Sequence, residues 1–152
     1  MPSTSTTRPW YTRPGVTVPA RLLLGLVFIY ASFDKLLHPA DFAETVYRYR
    51  LMPDELVNLT AIVLPWLECV LGLSLVLGIG LPGSALLSAA LLTVFVAALG
   101  FNLARGLDVN CGCFSTGGDD PATVVTLLRD GLLPVPAVVL LLAVFRRPAA
   151  AR

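Results

Sequence analysis

Apolar residues run in long blocks along this chain rather than alternating with polar ones. The blocks cover residues 19–37, with 22–33 nearly all apolar, then residues 53 or 54 to 77, 82–105 and 120–145. A helix of about 20–25 residues is long enough to cross a hydrocarbon core of roughly 30 Å. Between the first and second blocks the pattern changes. Phe42, Val46 and Tyr49 recur at helical intervals, Glu44, Arg48 and Arg50 occupy other faces, and Asp41 with Glu44 has capping-box spacing. That stretch predicts a short amphipathic helix lying in the interface and closed by Met52-Pro53. The pattern as a whole predicts an all-α fold: an integral membrane four-helix bundle with a short interfacial helix between spans 1 and 2.

Breakers and caps set the expected boundaries. Pro19 suits a first helical turn and Pro39 ends the first span. Gly78-Ile-Gly80-Leu-Pro82-Gly83 is an uncharged turn, Gly106 suits a C-terminal cap, and Asp120 before Pro121 suits an N-terminus. Pro65 lies mid-span, where neighbouring helices must satisfy the carbonyl it frees. Pro134 and Pro136 interrupt the fourth span, which Arg146-Arg147 end. Residues 1–15 read as a disordered polar tail, in which Trp10 and Tyr11 suit the headgroup level. Residues 16–147 form the membrane domain and 148–152 a C-terminal tail. A cleaved signal peptide fits poorly, because the first apolar run leads into Phe33-Asp34-Lys35 rather than small residues.

Composition narrows the class further. The 152 residues are 56% hydrophobic and 14% charged, with a mean hydropathy of +0.78, against about 45–50% and about 25% in a soluble domain. A net charge of +1 with dispersed basic residues argues against nucleic acid as a partner. Four spans place both termini and the Gly80 turn on one side, with Arg8, Arg13, Arg21, Arg146, Arg147 and Arg152. The positive-inside rule makes that side cytoplasmic in a multi-pass cell-membrane protein. The connection carrying Cys111 and Cys113 then lies on the extracytoplasmic side, where disulfides persist.

Cys111-Gly112-Cys113 is the candidate chemistry. Cysteines one residue apart can close a small ring, Gly112 gives the backbone the needed freedom, and strain makes such a bond easily reduced. The plain alternative is two unrelated small residues in a turn. Other polar groups gather in the same half of the bundle. Asp34 and Lys35 end the first span, Asn102 and Arg105 end the third, and Arg129 and Asp130 sit roughly 12 Å below the start of the fourth. Glu68 is deepest, near the bilayer centre, and is either neutral or paired with a cation such as Arg129. Each has a structural reading beside the functional one: Asp34 and Lys35 as snorkelling residues, Arg105 as an end-of-helix cation, Asn102 as helix–helix glue. Cys69 reads as a small buried apolar residue. One histidine, His38, and two loop cysteines make no evident metal site.

The runs Phe33-Asp34-Lys35-Leu36, His38-Pro39-Ala40-Asp41-Phe42-Ala43, Tyr49-Arg50-Leu51-Met52-Pro53 and Leu64-Pro65-Trp66-Leu67-Glu68 resemble the methylamine-utilisation MauE family. So does Asn102-Leu103-Ala104-Arg105-Gly106 followed by Cys111-Gly112-Cys113-Phe114. This family sits among the DoxX-like four-helix membrane proteins. The resemblance implies a four-span protein linked to maturation of periplasmic methylamine dehydrogenase, whose small subunit is rich in disulfides, through disulfide formation or thiol–disulfide exchange. On the residues themselves, Cys111 and Cys113 cycle between dithiol and disulfide, exchanging with a thioredoxin-like partner or client thiols. Arg105 favours a thiolate and Asp108 opposes it. A quinone in a cavity around Glu68, Asn102 and Arg129 is the second redox partner suggested by analogy with other membrane thiol oxidases. The rival classes are a non-catalytic scaffold for folding or export of a partner and a small-molecule transporter.

Overall fold

The computed structural model describes residues 12–106, 128 and 130–146. These residues form helices and turns without strands. In chain order they are α1 (Pro14–Leu37), α2 (Pro39–Arg48), α3 (Asp54–Leu77), α4 (Leu81–Ala104) and α5 (Pro134–Phe145). Three of them, α1, α3 and α4, are long and apolar enough to cross a membrane. Much of the first part of the expected fourth span lies outside the described residues. The part described breaks where proline predicts: Leu133 N–H donates to Asp130 O and Val135 N–H to Leu132 O, and α5 restarts with Pro134 in its first turn.

The α3 and α4 boundaries fall within a residue of those expected. Helix α1 begins at Pro14, five residues before the expected start, and carries Pro19 inside it. Proline there frees only a carbonyl in the first turn, where the disruption is small. Pro65 is likewise accommodated within an unbroken α3. Helix α2 begins at Pro39 without a side-chain cap, and Asp41 instead lies in its first turn, beside the positive end of the helix dipole. Glu44 pairs with Arg48 one turn on, at 2.6 Å. Phe42, Thr45 and Tyr49 face inward, so the amphipathic stripe covers the bundle. Arg50, at φ 49, turns the chain into α3.

Among the described residues the most extensive helix contact joins α1 to α3. It depends on two glycines. A Cβ on Gly25 would meet Gly72 O at 2.9 Å, and one on Gly72 would meet Gly25 O at 2.8 Å. Close backbone approach of this kind is how helices associate in lipid, where burial of apolar surface supplies no drive. As α1 advances from Gly25 to Ile29 and Lys35, its neighbours on α3 fall back from Val76 to Gly72 and Glu68, so the two run antiparallel. Ser84, Ala85, Ser88 and Ala89 form a small-residue seam on α4, which packs against α5 and its buried Ala137 and Ala143. Leu24, Phe28, Leu75, Leu92 and Leu140 fill the centre. Large apolar side chains such as Leu26, Phe33, Ile62, Trp66 and Val94 point outward, each at least 60% exposed, as a lipid-facing surface requires.

Candidate functional site

Lys35 and Glu68 form the polar centre of the bundle. Lys35 Nζ donates to both Glu68 carboxylate oxygens at 2.7 Å, and the two side chains are 7% and 11% exposed. Helical side chains lean toward their own N-terminus. Lys35, near the C-terminal end of α1, therefore reaches inward. Glu68 leans outward along the antiparallel α3, and the groups meet between the two levels. The cation that pairs with Glu68 is thus Lys35. Lys35 points into the protein rather than snorkelling to the surface. Its ammonium also sits 5.1 Å from the centroid of the Phe42 ring, a cation–π contact supplied by α2.

Beside this pair lies a cavity of 320 Å³ walled by α1, α2, α3 and α4, with Leu133 closing it from the segment before α5. Val27, Phe28 and Ala31 line it from α1, Phe42, Thr45, Val46 and Tyr49 from α2, and Thr60, Leu64 and Glu68 from α3. Leu91, Leu92, Val94, Phe95 and Ala98 complete it from α4. Lys35 and Glu68 are its charged members among the described residues. Leu51 and Val94 are also among its lining and are 44% and 67% exposed, so they mark a rim that opens sideways from the bundle.

Asn102 stands one helical turn beyond Ala98. It is fully buried, and among the described residues neither its amide nitrogen nor its carbonyl oxygen has a hydrogen-bond partner. An unsatisfied buried amide costs about 1–3 kcal/mol, so its presence calls for a reason. Arg105 is exposed at the end of α4, with its guanidinium 5.3 Å from the Phe101 ring centroid. Gly106 follows at φ 67 and caps the helix, as its position predicts. His38 Nδ1 lies 3.3 Å from the Asp34 main-chain oxygen and 3.6 Å from its carboxylate at the surface, and Asp130 is buried. Cys111, Cys113 and Arg129 lie outside the described residues, and Cys69 on α3 is a free, partly buried thiol.

Residues 13–143 match the family model for methylamine utilisation protein MauE. The chain belongs to the MauE family. It is 35% identical over 127 residues to the methylamine utilization protein MauE of Paracoccus denitrificans, covering 83% of this chain and 68% of that relative. To the MauE of Methylorubrum extorquens it is 37% identical over 105 residues, covering 68% of this chain and 56% of the relative. To that of Methylophilus methylotrophus it is 35% identical over 101 residues, covering 66% and 53%. The matches thus span from about half to two thirds of these MauE proteins. No solved structure matches the chain. Within this MauE-family fold, sequence reasoning singled out Lys35 and Glu68 separately but not as a pair, and it missed the wall that Phe42, Thr45 and Tyr49 provide. The signal for that wall was the inward stripe of an otherwise charged helix.

Proposed function

We propose that this MauE-family protein is a membrane thiol–disulfide exchange protein that supports maturation of an extracytoplasmic enzyme of the methylamine-utilisation type. Its reactive groups are Cys111 and Cys113, held in an extracytoplasmic connection, with the protein in the cell membrane and its termini cytoplasmic. A client thiolate attacks one sulfur of the Cys111–Cys113 disulfide, giving a mixed disulfide. A second client thiolate resolves it, leaving the client oxidised and the pair as a dithiol. A thioredoxin-like carrier exchanges by the same two displacements. Arg105, exposed at the end of α4, favours the thiolate form and Asp108 opposes it.

The observation that carries this reading is Asn102. A fully buried amide without a partner among the described residues stands at the end of α4 that leads into the cysteine connection. Such a group is costly as mere packing and suits a site that orders a polar loop against the bundle. The test is disulfide transfer from the purified protein in nanodiscs to a reduced, unfolded substrate. Cys111→Ser/Cys113→Ser is expected to abolish transfer, whereas a scaffold using the pair only as a lock retains its effect on client maturation.

A further inference from the structure

The cavity beside Lys35 and Glu68 has a polar end, aromatic residues in its lining and an exposed rim. Its 320 Å³ falls at the lower end of small-molecule sites. That is room for a substituted six-membered ring with the start of an aliphatic tail. The tail has an exit at Val94, which is 67% exposed on the lipid-facing surface of α4. Phe42 lines it from α2 and Phe95 from α4. The charge balance selects the ligand further. Glu68 holds two of the three N–H donors of Lys35 and cancels its charge. Among the described lining residues an anionic headgroup or fatty acid finds no net positive charge, while a neutral acceptor oxygen can take the third N–H in place of the Phe42 ring. A saturated acyl chain would fill the volume but would leave that donor unused.

We propose that this cavity binds a prenylated quinone, with a ring carbonyl accepting from Lys35 and the tail leaving past Val94. Binding stands on the cavity alone. Its redox use rests on the proposed thiol chemistry: the Cys111 and Cys113 thiols give up two electrons and two protons to form the S–S bond, and the quinone takes up two of each to become the quinol.

The experiment is calorimetric titration of the purified full chain in detergent with a decyl-substituted benzoquinone. One molecule is expected to bind per chain, and a hundred-fold excess of 1-decanol is expected not to displace it. Ala98→Phe fills the cavity and Val94→Trp blocks its rim from an exposed position, so the second variant keeps the test valid if the first fails to fold. Each is expected to weaken binding at least ten-fold, while Val135→Trp, on the exposed face of α5, leaves it unchanged. Equal affinity in the Val94→Trp and parent proteins, or displacement by that excess of decanol, would overturn the proposal. Cys111→Ser/Cys113→Ser is expected to bind quinone like the parent. Exchange that persists in this variant would sink the thiol reading and leave the quinone site standing, whereas exchange lost with no quinone bound to the parent would sink the quinone site alone.

Discussion

Lys35 and Glu68, on antiparallel helices, share a bidentate contact at 2.7 Å with both side chains buried. Buried pairs repay their desolvation poorly against apolar replacements, yet losing one partner strands the other charge. Lys35→Met or Glu68→Leu alone is therefore expected to destabilise the bundle by about 3 kcal/mol. The double variant should recover most of that loss. Denaturation in mixed micelles, run as a double-mutant cycle, checks the pattern; additive single losses would contradict the pairing.

The Gly25–Gly72 contact makes a sharper packing prediction. A methyl on Gly72 meets Gly25 O at 2.8 Å and Ile29 Cγ1 at 2.7 Å, so α1 and α3 must part. Gly72→Ala is expected to cost about 1–3 kcal/mol, as overpacking does, and to lower the thermal midpoint in detergent. Gly83→Ala, on α4 with open space around it, should be neutral or slightly stabilising.

Gly78 and Gly80 bracket the turn between α3 and α4, and both have positive φ, 79 and 59. A Cβ is strained at either, by about 1–2 kcal/mol. Only at Gly78 does it also run into the Arg21 guanidinium, which lies against the C-terminal end of α3. Gly78→Ala should thus be the more damaging of the two, and Arg21→Ala should narrow the gap. The thermal midpoints of these four proteins provide the comparison.

Asn102 should show opposed effects on stability and function. Replacing a buried amide without a partner by an apolar group of similar size removes a desolvation cost of about 1–3 kcal/mol. Asn102→Leu is expected to be at least as stable as the parent and to transfer disulfides at least ten-fold more slowly. A variant that is both more stable and fully active would remove the support that Asn102 gives the thiol reading.

The helices were legible in the sequence because apolar runs of this length permit little else, and the ends of α3 and α4 followed from Pro53, Gly78, Gly80 and Gly106. The start of α1 was less legible, since Pro19 looks like a first-turn residue yet is tolerated one turn further in. The site was legible by residue and not by partner. Position along a span gives the depth of a backbone atom, whereas Lys35 and Glu68 meet because their side chains lean in opposite directions along antiparallel helices. The α2 wall was hidden for a related reason: an amphipathic stripe reads as a membrane-facing surface until the helix is seen folded back on the bundle.

The proposed disulfide exchange between Cys111, Cys113 and a partner passes through a mixed disulfide that can be caught. Trapping tests it most directly: Cys111→Ser and Cys113→Ser single variants are expressed in cells making a methylamine dehydrogenase-type client, quenched with acid and alkylated, and resolved without reductant. A reductant-sensitive adduct is expected between one of these variants and an extracytoplasmic protein, absent when both cysteines are replaced. Absence of any adduct from either single variant, with client maturation undiminished in the double variant, would contradict it.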